Sequence, residues 1–218
     1  MIEWIAKAIL FDLDGVLVDS RACVEATWRR WAAQRGLDPE PFIQVAHGRR
    51  TGETLALVAP GLDIARAVAE LDAIEETSTD GLLPVPGAAE LIAALLPNQW
   101  AVVTSGHRAV AELRLRHVGL PVPEVLVTGD LVRRGKPDPE GYLLAAARIG
   151  VRPADCIVIE DAPPGVEAGK EAGMRVVGVA AYAHQSRGLG EADVVLSALV
   201  DLGVGGDPWL RIHALTAR

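Results

Sequence analysis

Short apolar runs recur along the chain, and the clearest of them are rich in aliphatic and β-branched side chains. They are "AILFDL" from Ala8, "WAVVTS" from Trp100, "CIVIED" from Cys156 and "RVVGVA" from Arg175. Weaker runs of the same kind are "EVLVTG" from Glu124 and "ADVVLS" from Ala192. Each run is continuous rather than alternating, which is typical of parallel strands covered on both faces.

Stretches with helical spacing separate these runs. They read "GAAELIAALL", "HRAVAELRLRHVG", "PEGYLLAAARIG" and "PPGVEAGKEAGM". Several end on glycine, a common C-terminal stop. We interpret the basic side chains of "AELRLRHVG" as an exposed helix face. Because strand and helix alternate, the pattern predicts an α/β fold with a doubly wound, mostly parallel, Rossmann-like sheet.

The alternation breaks between about Ser20 and Leu83, where several amphipathic helices follow one another without a convincing strand. We predict an α/β core formed by residues 1–18 and 84–218, and an inserted helical cap domain at residues 19–83. Pro84, Pro86 and Gly87 mark the return to the core. Ligands of open α/β sheets bind beyond the carboxyl ends of the strands, so a helical insert leaving the first strand there would cover the site as a lid.

Composition narrows the class of partner. The chain has 218 residues, half of them hydrophobic, and a net charge of −8. An acidic protein without a Lys/Arg-rich run does not fit a nucleic-acid or anionic-membrane surface. The first apolar run ends at Asp12, too early to span a bilayer, and no basic region precedes it, so we expect no signal peptide and no membrane segment.

The remaining composition points to a cytoplasmic protein. Cys23 and Cys156 lack metal-ligand spacing, which disfavours a disulfide framework or a zinc site and agrees with a reducing compartment. No sustained apolar heptad or interface patch is evident, so we expect a monomer.

Polar side chains cluster where the predicted strands end. Asp12 and Asp14 follow the first strand, Thr104 and Ser105 the second, and Glu160 and Asp161 the "CIVI" strand, while Lys136 lies in "RRGKPDPEGY". In a parallel sheet these positions converge on one edge. Buried neighbouring carboxylates are costly unless something neutralises them. Mg²⁺ prefers such oxygen ligands and also contacts substrate phosphate, so the pattern predicts a site for Mg²⁺ and phosphate.

Four motifs carry a resemblance to a known family: "FDLDGVLVDS", "VVTSG", "GKPDPEGY" and "VIEDAPPGVEAGKEAG". In this order they resemble the motifs of the haloacid dehalogenase superfamily of phosphohydrolases. The helical insert resembles the cap of the branch that holds sugar-phosphate and glycerol-3-phosphate phosphatases and β-phosphoglucomutase.

The resemblance implies roles for the two aspartates of the first motif. Asp12 would attack phosphorus and form an aspartyl-phosphate. Asp14 would protonate the leaving alkoxide and then activate the hydrolytic water. Gly15 would let the chain turn sharply beside the site.

The same resemblance implies the groups that bind metal and phosphate. Mg²⁺ would be held by the Asp12 carboxylate, the Asp14 main-chain carbonyl and Asp161, with Glu160 acting through water. The transferring phosphoryl group would be bound by Thr104 and Lys136, with main-chain donors from Ser105 and Gly106.

In the insert, the segment "HGRRT" is the candidate substrate-binding turn. It places His47, Arg49 and Arg50 beside Gly48. An arginine there could reach a substrate hydroxyl or phosphate from above, and Arg50 matches an arginine of the glycerol-phosphate enzymes.

Three classes of function fit the motifs unequally. The first is a Mg²⁺-dependent phosphatase that acts on small sugar or polyol phosphates, including glycerol phosphate and hexose 6-phosphates. This function would use all the polar residues found where the strands end. A phosphosugar mutase of the β-phosphoglucomutase type needs the same core motifs, but His47 and Thr51 stand where the mutases have a cap lysine and arginine. A non-catalytic phosphosugar-binding module would be expected to have lost a core motif residue, and a dehalogenase would not need Asp14 or Asp161.

Overall fold

The computed structural model of the protein describes residues 2–180, 188–206 and 209–214. The strands are β1 (Ile2–Ala6), β2 (Ala8–Phe11), β3 (Val18–Asp19), β4 (Leu83–Pro84), β5 (Trp100–Val103), β6 (Leu126–Val127), β7 (Cys156–Glu160), β8 (Arg175–Val179), β9 (Val194–Leu196), β10 (Leu202–Gly205) and β11 (Leu210–Ala214). The α-helices are α1 (Arg21–Ala33), α2 (Glu40–Ala46), α3 (Thr51–Val58), α4 (Ile64–Glu75), α5 (Ala88–Ala93), α6 (Arg108–His117), α7 (Glu140–Ile149) and α8 (Pro163–Glu171).

The central sheet has six strands in the order β6-β5-β2-β7-β8-β9, and all neighbours pair in parallel. Every strand predicted from the apolar runs belongs to it, so the predicted fold class is confirmed. Alternate residues of β2 face opposite sides of the sheet. Ile9 and Phe11 pack with α5 and α6, whereas Ala8 and Leu10 pack with α7 and α8. Burial on both faces explains the continuous apolar pattern.

A second, antiparallel sheet was not predicted. It has the order β1-β11-β10, with Ile2 opposite Ala214 and Trp4 opposite Ile212. Only Lys7 separates β1 from β2, so the two strands read as one apolar stretch in the sequence. The pairing depends on residues more than 200 positions apart, which local patterns do not reveal.

Helices α1 to α4 form the helical insert, which has a hydrophobic core of its own. Trp31, Leu55 and Leu71 are almost fully buried in it, and the rings of Trp28 and Phe42 stack with centroids 5.3 Å apart. The chain enters and leaves through the antiparallel pair β3 and β4, where Val18 lies opposite Pro84. This two-strand connection places the helical insert over the carboxyl end of β2. In the ranges described, no helix has the length and apolar composition needed to cross a membrane.

Candidate active site

Asp12 lies at the carboxyl end of β2, where its backbone N–H donates to the carbonyl of Ile159 at 2.9 Å. Its carboxylate is buried and accepts a short hydrogen bond from the ammonium group of Lys136. Lys136 Nζ also donates to Glu160 Oε1 at 2.6 Å and to the carbonyl of Val103 at 3.1 Å. All three ammonium donors are therefore used within the protein, which fixes the cation directly beside Asp12.

Glu160 is the anchor of this network. Besides Lys136, Oε1 accepts from the hydroxyl of Tyr142 at 2.7 Å, while Oε2 accepts from the backbone N–H groups of Asp161 and Ala162. Four donors thus occupy its carboxylate. This arrangement suits a residue that orients Lys136 and reaches a metal only through water, rather than a direct ligand.

The electrostatics of the cluster favour a cation. Asp12, Glu160 and Asp161 offer carboxylate oxygens that lie within 4.8 Å of one another. Burial raises the pKa of Asp12 to about 7, in spite of Lys136. Burial and the neighbouring carboxylates Asp12 and Glu160 raise the pKa of Asp161 well above its ordinary value. Three buried carboxylates against one ammonium group fit a hard divalent cation such as Mg²⁺.

Gly15 provides the room for this cluster. Its backbone has φ +83°, in the left-handed region that favours glycine, and a Cβ there would overlap the carboxylate of Asp161. The turn that follows β2 can therefore pass directly against Asp161, and no larger residue would allow it.

Asp14 has a different set of partners. Its Oδ1 accepts hydrogen bonds from the Ser20 hydroxyl at 2.5 Å and from Arg114 Nη1 at 2.7 Å. Arg114 Nη2 continues to Glu75 Oε1 at 3.4 Å, at the end of α4 in the helical insert. Burial alone would lower the pKa of Arg114, but Asp14 and Glu75 outweigh it and raise that pKa. The Asp14 carboxylate is thus held by a permanent cation that also contacts the insert.

A cavity of about 70 Å³, hereafter the central cavity, lies between the core and the helical insert. Asp12 and Asp14 line it from the core, together with Thr104, Ser105, Gly106 and Arg114. The helical insert contributes Val24, Trp28, His47, Arg49, Thr51, Thr54 and Glu75. The two aspartates therefore face a space that is lined by both polar and apolar side chains of the core and the helical insert.

The residues that follow β5 have mixed partners. The Thr104 hydroxyl accepts from the N–H of Gly106 at 3.2 Å, so both line the central cavity in a fixed geometry. The Ser105 hydroxyl donates to the carbonyl of Gly48 at 3.0 Å, which joins the core to the turn between α2 and α3. Lys136 does not line the central cavity. The phosphoryl-binding roles of Thr104, Ser105, Gly106 and Lys136 remain predictions.

The predicted substrate-binding turn divides into two parts. His47 and Arg49 line the central cavity. Arg50 does not, because its guanidinium group donates to the carbonyls of Val132 and Arg133 at 3.1 and 3.3 Å. This position favours a role for Arg50 in holding the helical insert against the core. Its contact with substrate stays a prediction.

Sequence reasoning missed the Arg114 network. The interpretation of its helix face as exposed was wrong at Arg114, which is only 5% exposed, although Arg116 two residues later is exposed. An arginine within a basic helical stretch resembles a surface residue. The available signal was the position of Arg114 three and four residues after the buried Ala111 and Val110, on the same side of α6.

Comparison with known proteins supplies the family. The family model of the haloacid dehalogenase-like hydrolases matches residues 6–173. The chain belongs to this family. The haloacid dehalogenase-like core accounts for the four motifs and for the sheet edge at which they meet, and the match confirms the resemblance found in the sequence.

Individual relatives agree with the family assignment. The chain is 44% identical over 209 residues to hexitol phosphatase A of Escherichia coli, covering 93% of this chain and 95% of that one. It is 37% identical over 186 residues to glycerol-1-phosphate phosphohydrolase 2 of Saccharomyces cerevisiae, covering 80% and 74%. The crystal structure of CbbY from Rhodobacter sphaeroides in complex with phosphate superposes with a TM-score of 0.77 at 26% identity, covering 91% and 96%.

Proposed function

We propose that this protein is a Mg²⁺-dependent phosphatase that hydrolyses small sugar or polyol phosphate monoesters through an aspartyl-phosphate. The observation that carries the proposal is the pair of carboxylates in the central cavity. Asp12 is paired with Lys136. Asp14, two positions later, is held by Ser20 and Arg114. The names of the relatives support the substrate class.

In the first step a carboxylate oxygen of Asp12 attacks phosphorus, and the bond from phosphorus to the ester oxygen breaks. Asp14 gives its proton to the departing alkoxide. Lys136 keeps its charge beside Asp12, because burial alone would lower its pKa but Asp12 and Glu160 outweigh burial and raise it. Because its three donors are used within the protein, the ammonium group would stabilise the charge that develops on the phosphoryl oxygens through space, from its position beside Asp12.

In the second step water attacks phosphorus, and the bond from phosphorus to the Asp12 oxygen breaks. Asp14, now ionised, accepts the proton of that water. Ser20 and Arg114 fix its carboxylate for both proton transfers. The helical insert forms one wall of the central cavity and thereby reduces access of bulk water to the aspartyl-phosphate.

Asp12, Asp161 and the main-chain carbonyl of Asp14 are the groups that would hold Mg²⁺, with Glu160 reaching it through water. When bound, Mg²⁺ supplies positive charge that offsets the buried carboxylates and the transferring phosphoryl group. We expect activity to disappear with EDTA and to return with Mg²⁺.

The test is phosphate release with Mg²⁺ from a panel of glycerol, hexitol, hexose, pentose and other polyol phosphates. A coupled assay for conversion of β-glucose 1-phosphate to glucose 6-phosphate runs in parallel. Phosphate release concentrated on a small group of esters supports the proposal. Isomer conversion without phosphate release would identify a phosphosugar mutase and overturn it, and absence of both reactions would favour the non-catalytic binding module.

We also propose that the protein acts as a monomer in the cytoplasm, with a small phosphate ester rather than nucleic acid as its partner. The net charge of −8 and the two free, buried cysteines support this assignment. Light scattering of the purified protein tests the oligomeric state.

A further inference from the structure

Thr54 presents an unsatisfied hydroxyl group to the central cavity. It lies on α3 of the helical insert, its side chain is fully buried, and Oγ1 has no hydrogen-bond partner in the described part of the chain. Buried hydroxyl groups are normally hydrogen-bonded. A ligand in the cavity is the natural partner, since Thr54 lines the same space as Asp12 and Asp14.

Thr128 provides an internal comparison. Its Oγ1 is equally buried and also lacks a partner among the described residues, but Thr128 does not line the central cavity. Thr128 instead lines a second, smaller cavity of about 10 Å³ beside Lys136. Thr54 differs because it lines the same cavity as the two aspartates.

Glu75 lies in the same wall of the central cavity. Its only donor among the described residues is Arg114, which contacts Oε1. A carboxylate accepts up to about four hydrogen bonds, so Glu75 retains acceptor capacity toward the cavity. Its negative charge also disfavours a second anion at this position.

The apolar part of the wall comes from Val24 and Trp28 of α1. Hydrocarbon and aromatic surfaces pack against the C–H groups of a carbon chain, while the polar groups beside them bind its hydroxyls. This combination suits a hydroxylated alcohol and not a purely apolar one.

We infer that Thr54 and Glu75 form a subsite that binds free hydroxyl groups on the alcohol part of the substrate. The inference rests on the proposed phosphatase function and adds its selectivity: hydroxylated esters are preferred over alkyl esters and over esters that carry a carboxylate. A site discriminates strongly between substrates when the wrong substrate leaves polar groups of the site without a hydrogen bond.

The experiment compares kcat/KM for glycerol 3-phosphate, propyl phosphate and 3-phosphoglycerate. These esters share a three-carbon chain, but propyl phosphate lacks hydroxyls and 3-phosphoglycerate carries a carboxylate. We expect Thr54→Val to lower the ratio of glycerol 3-phosphate to propyl phosphate by about 10-fold, and Thr54→Ser to restore it. Thr128→Val, the matched control, should leave the ratio at its wild-type value.

Glu75→Gln tests the charge. We expect it to narrow the preference for glycerol 3-phosphate over 3-phosphoglycerate by about 10-fold.

A wild-type protein that hydrolyses all three esters equally, or a Thr54→Val variant that slows all three equally, would overturn the subsite while the phosphatase function stands. A wild-type protein that releases phosphate from no ester would instead overturn the phosphatase function itself.

Discussion

Asp12 and Asp14 are separated by one residue, yet their carboxylates belong to different parts of the molecule. Asp12 is surrounded by groups of the core, namely Lys136 and the cluster anchored by Glu160. Asp14 is held by Arg114, whose other contact is Glu75 of the helical insert. Two identical side chains on one turn thus have different surroundings, because their partners come from different elements.

The difference has a structural consequence. The partners of Asp12 all belong to the core, where Lys136 is held by Glu160 and by the carbonyl of Val103. The network of Asp14 continues across the boundary between core and insert. We therefore expect variants around Asp12 to alter chemistry alone, and variants around Asp14 to alter chemistry and the docking of the insert together.

The largest effect is expected for Asp12→Asn. Without a carboxylate nucleophile, phosphate release should fall by more than about 10³-fold. The amide oxygen can still accept from Lys136, so we expect the thermal unfolding midpoint to be retained. Steady-state phosphate release and circular dichroism measure the two quantities, and substantial remaining turnover would contradict a covalent intermediate on Asp12.

Asp14→Asn should lower kcat by about 10³-fold, because it removes the general acid and base. With p-nitrophenyl phosphate, whose leaving group needs no proton, the first step should persist. We expect stopped-flow absorbance to show a burst of one equivalent of p-nitrophenol in Asp14→Asn and no burst in Asp12→Asn. Loss of the burst in both variants would contradict the separate tasks.

Arg114→Ala should destabilise the protein by about 3 kcal/mol, because it leaves Asp14 and Glu75 facing each other without a cation. Arg116→Ala is the matched control on the same helix, where the side chain is 67% exposed and pairs with Glu112. We expect less than about 0.5 kcal/mol for the control. Equal losses in the free energy of unfolding, measured with urea, would show that Arg114 does not join core and insert.

Among the aspartates, the smallest effect is expected at Asp193, which lies outside the candidate active site. It accepts from Lys170 Nζ at 2.6 Å and from the N–H of Val176 at 2.7 Å. Burial alone would raise its pKa, but these hydrogen bonds outweigh it, so the pKa of Asp193 lies below its ordinary value of 3.8. A carboxyl group whose pKa is lowered by folding stabilises the protein above its unfolded pKa and loses this contribution as the pH falls.

We therefore expect Asp193→Asn to cost less than about 1 kcal/mol near neutral pH, since the pair is partly exposed to solvent. The difference from wild type should shrink as the pH falls below about 4. Urea unfolding at several pH values measures it. A larger loss in the free energy of unfolding than that of Arg114→Ala would contradict the expectation that the Asp14 network contributes more to stability than the Asp193 pair.

Local patterns in the sequence predict the central parallel sheet, the helices and the convergence of the motif residues at one sheet edge. Continuous apolar runs are a direct result of burial on both faces, and the ends of parallel strands meet by geometry. These features depend on local pattern, so the order of strands and polar residues along the chain is enough to bring Asp12, Lys136, Glu160 and Asp161 together.

The burial of individual charged side chains and the surroundings of Asp14 follow instead from contacts between distant segments of the chain. Arg114 reads locally as a surface residue, but in the folded protein it is buried and contacts Asp14 of the core and Glu75 of α4. The hydroxyl of Thr54 lies in the central cavity between core and insert, and hydrogen bonds to the carbonyls of Val132 and Arg133 hold Arg50 away from that cavity. Such contacts depend on how the core and the helical insert pack against each other. The hydrophobic periodicity within each of them does not predict that packing.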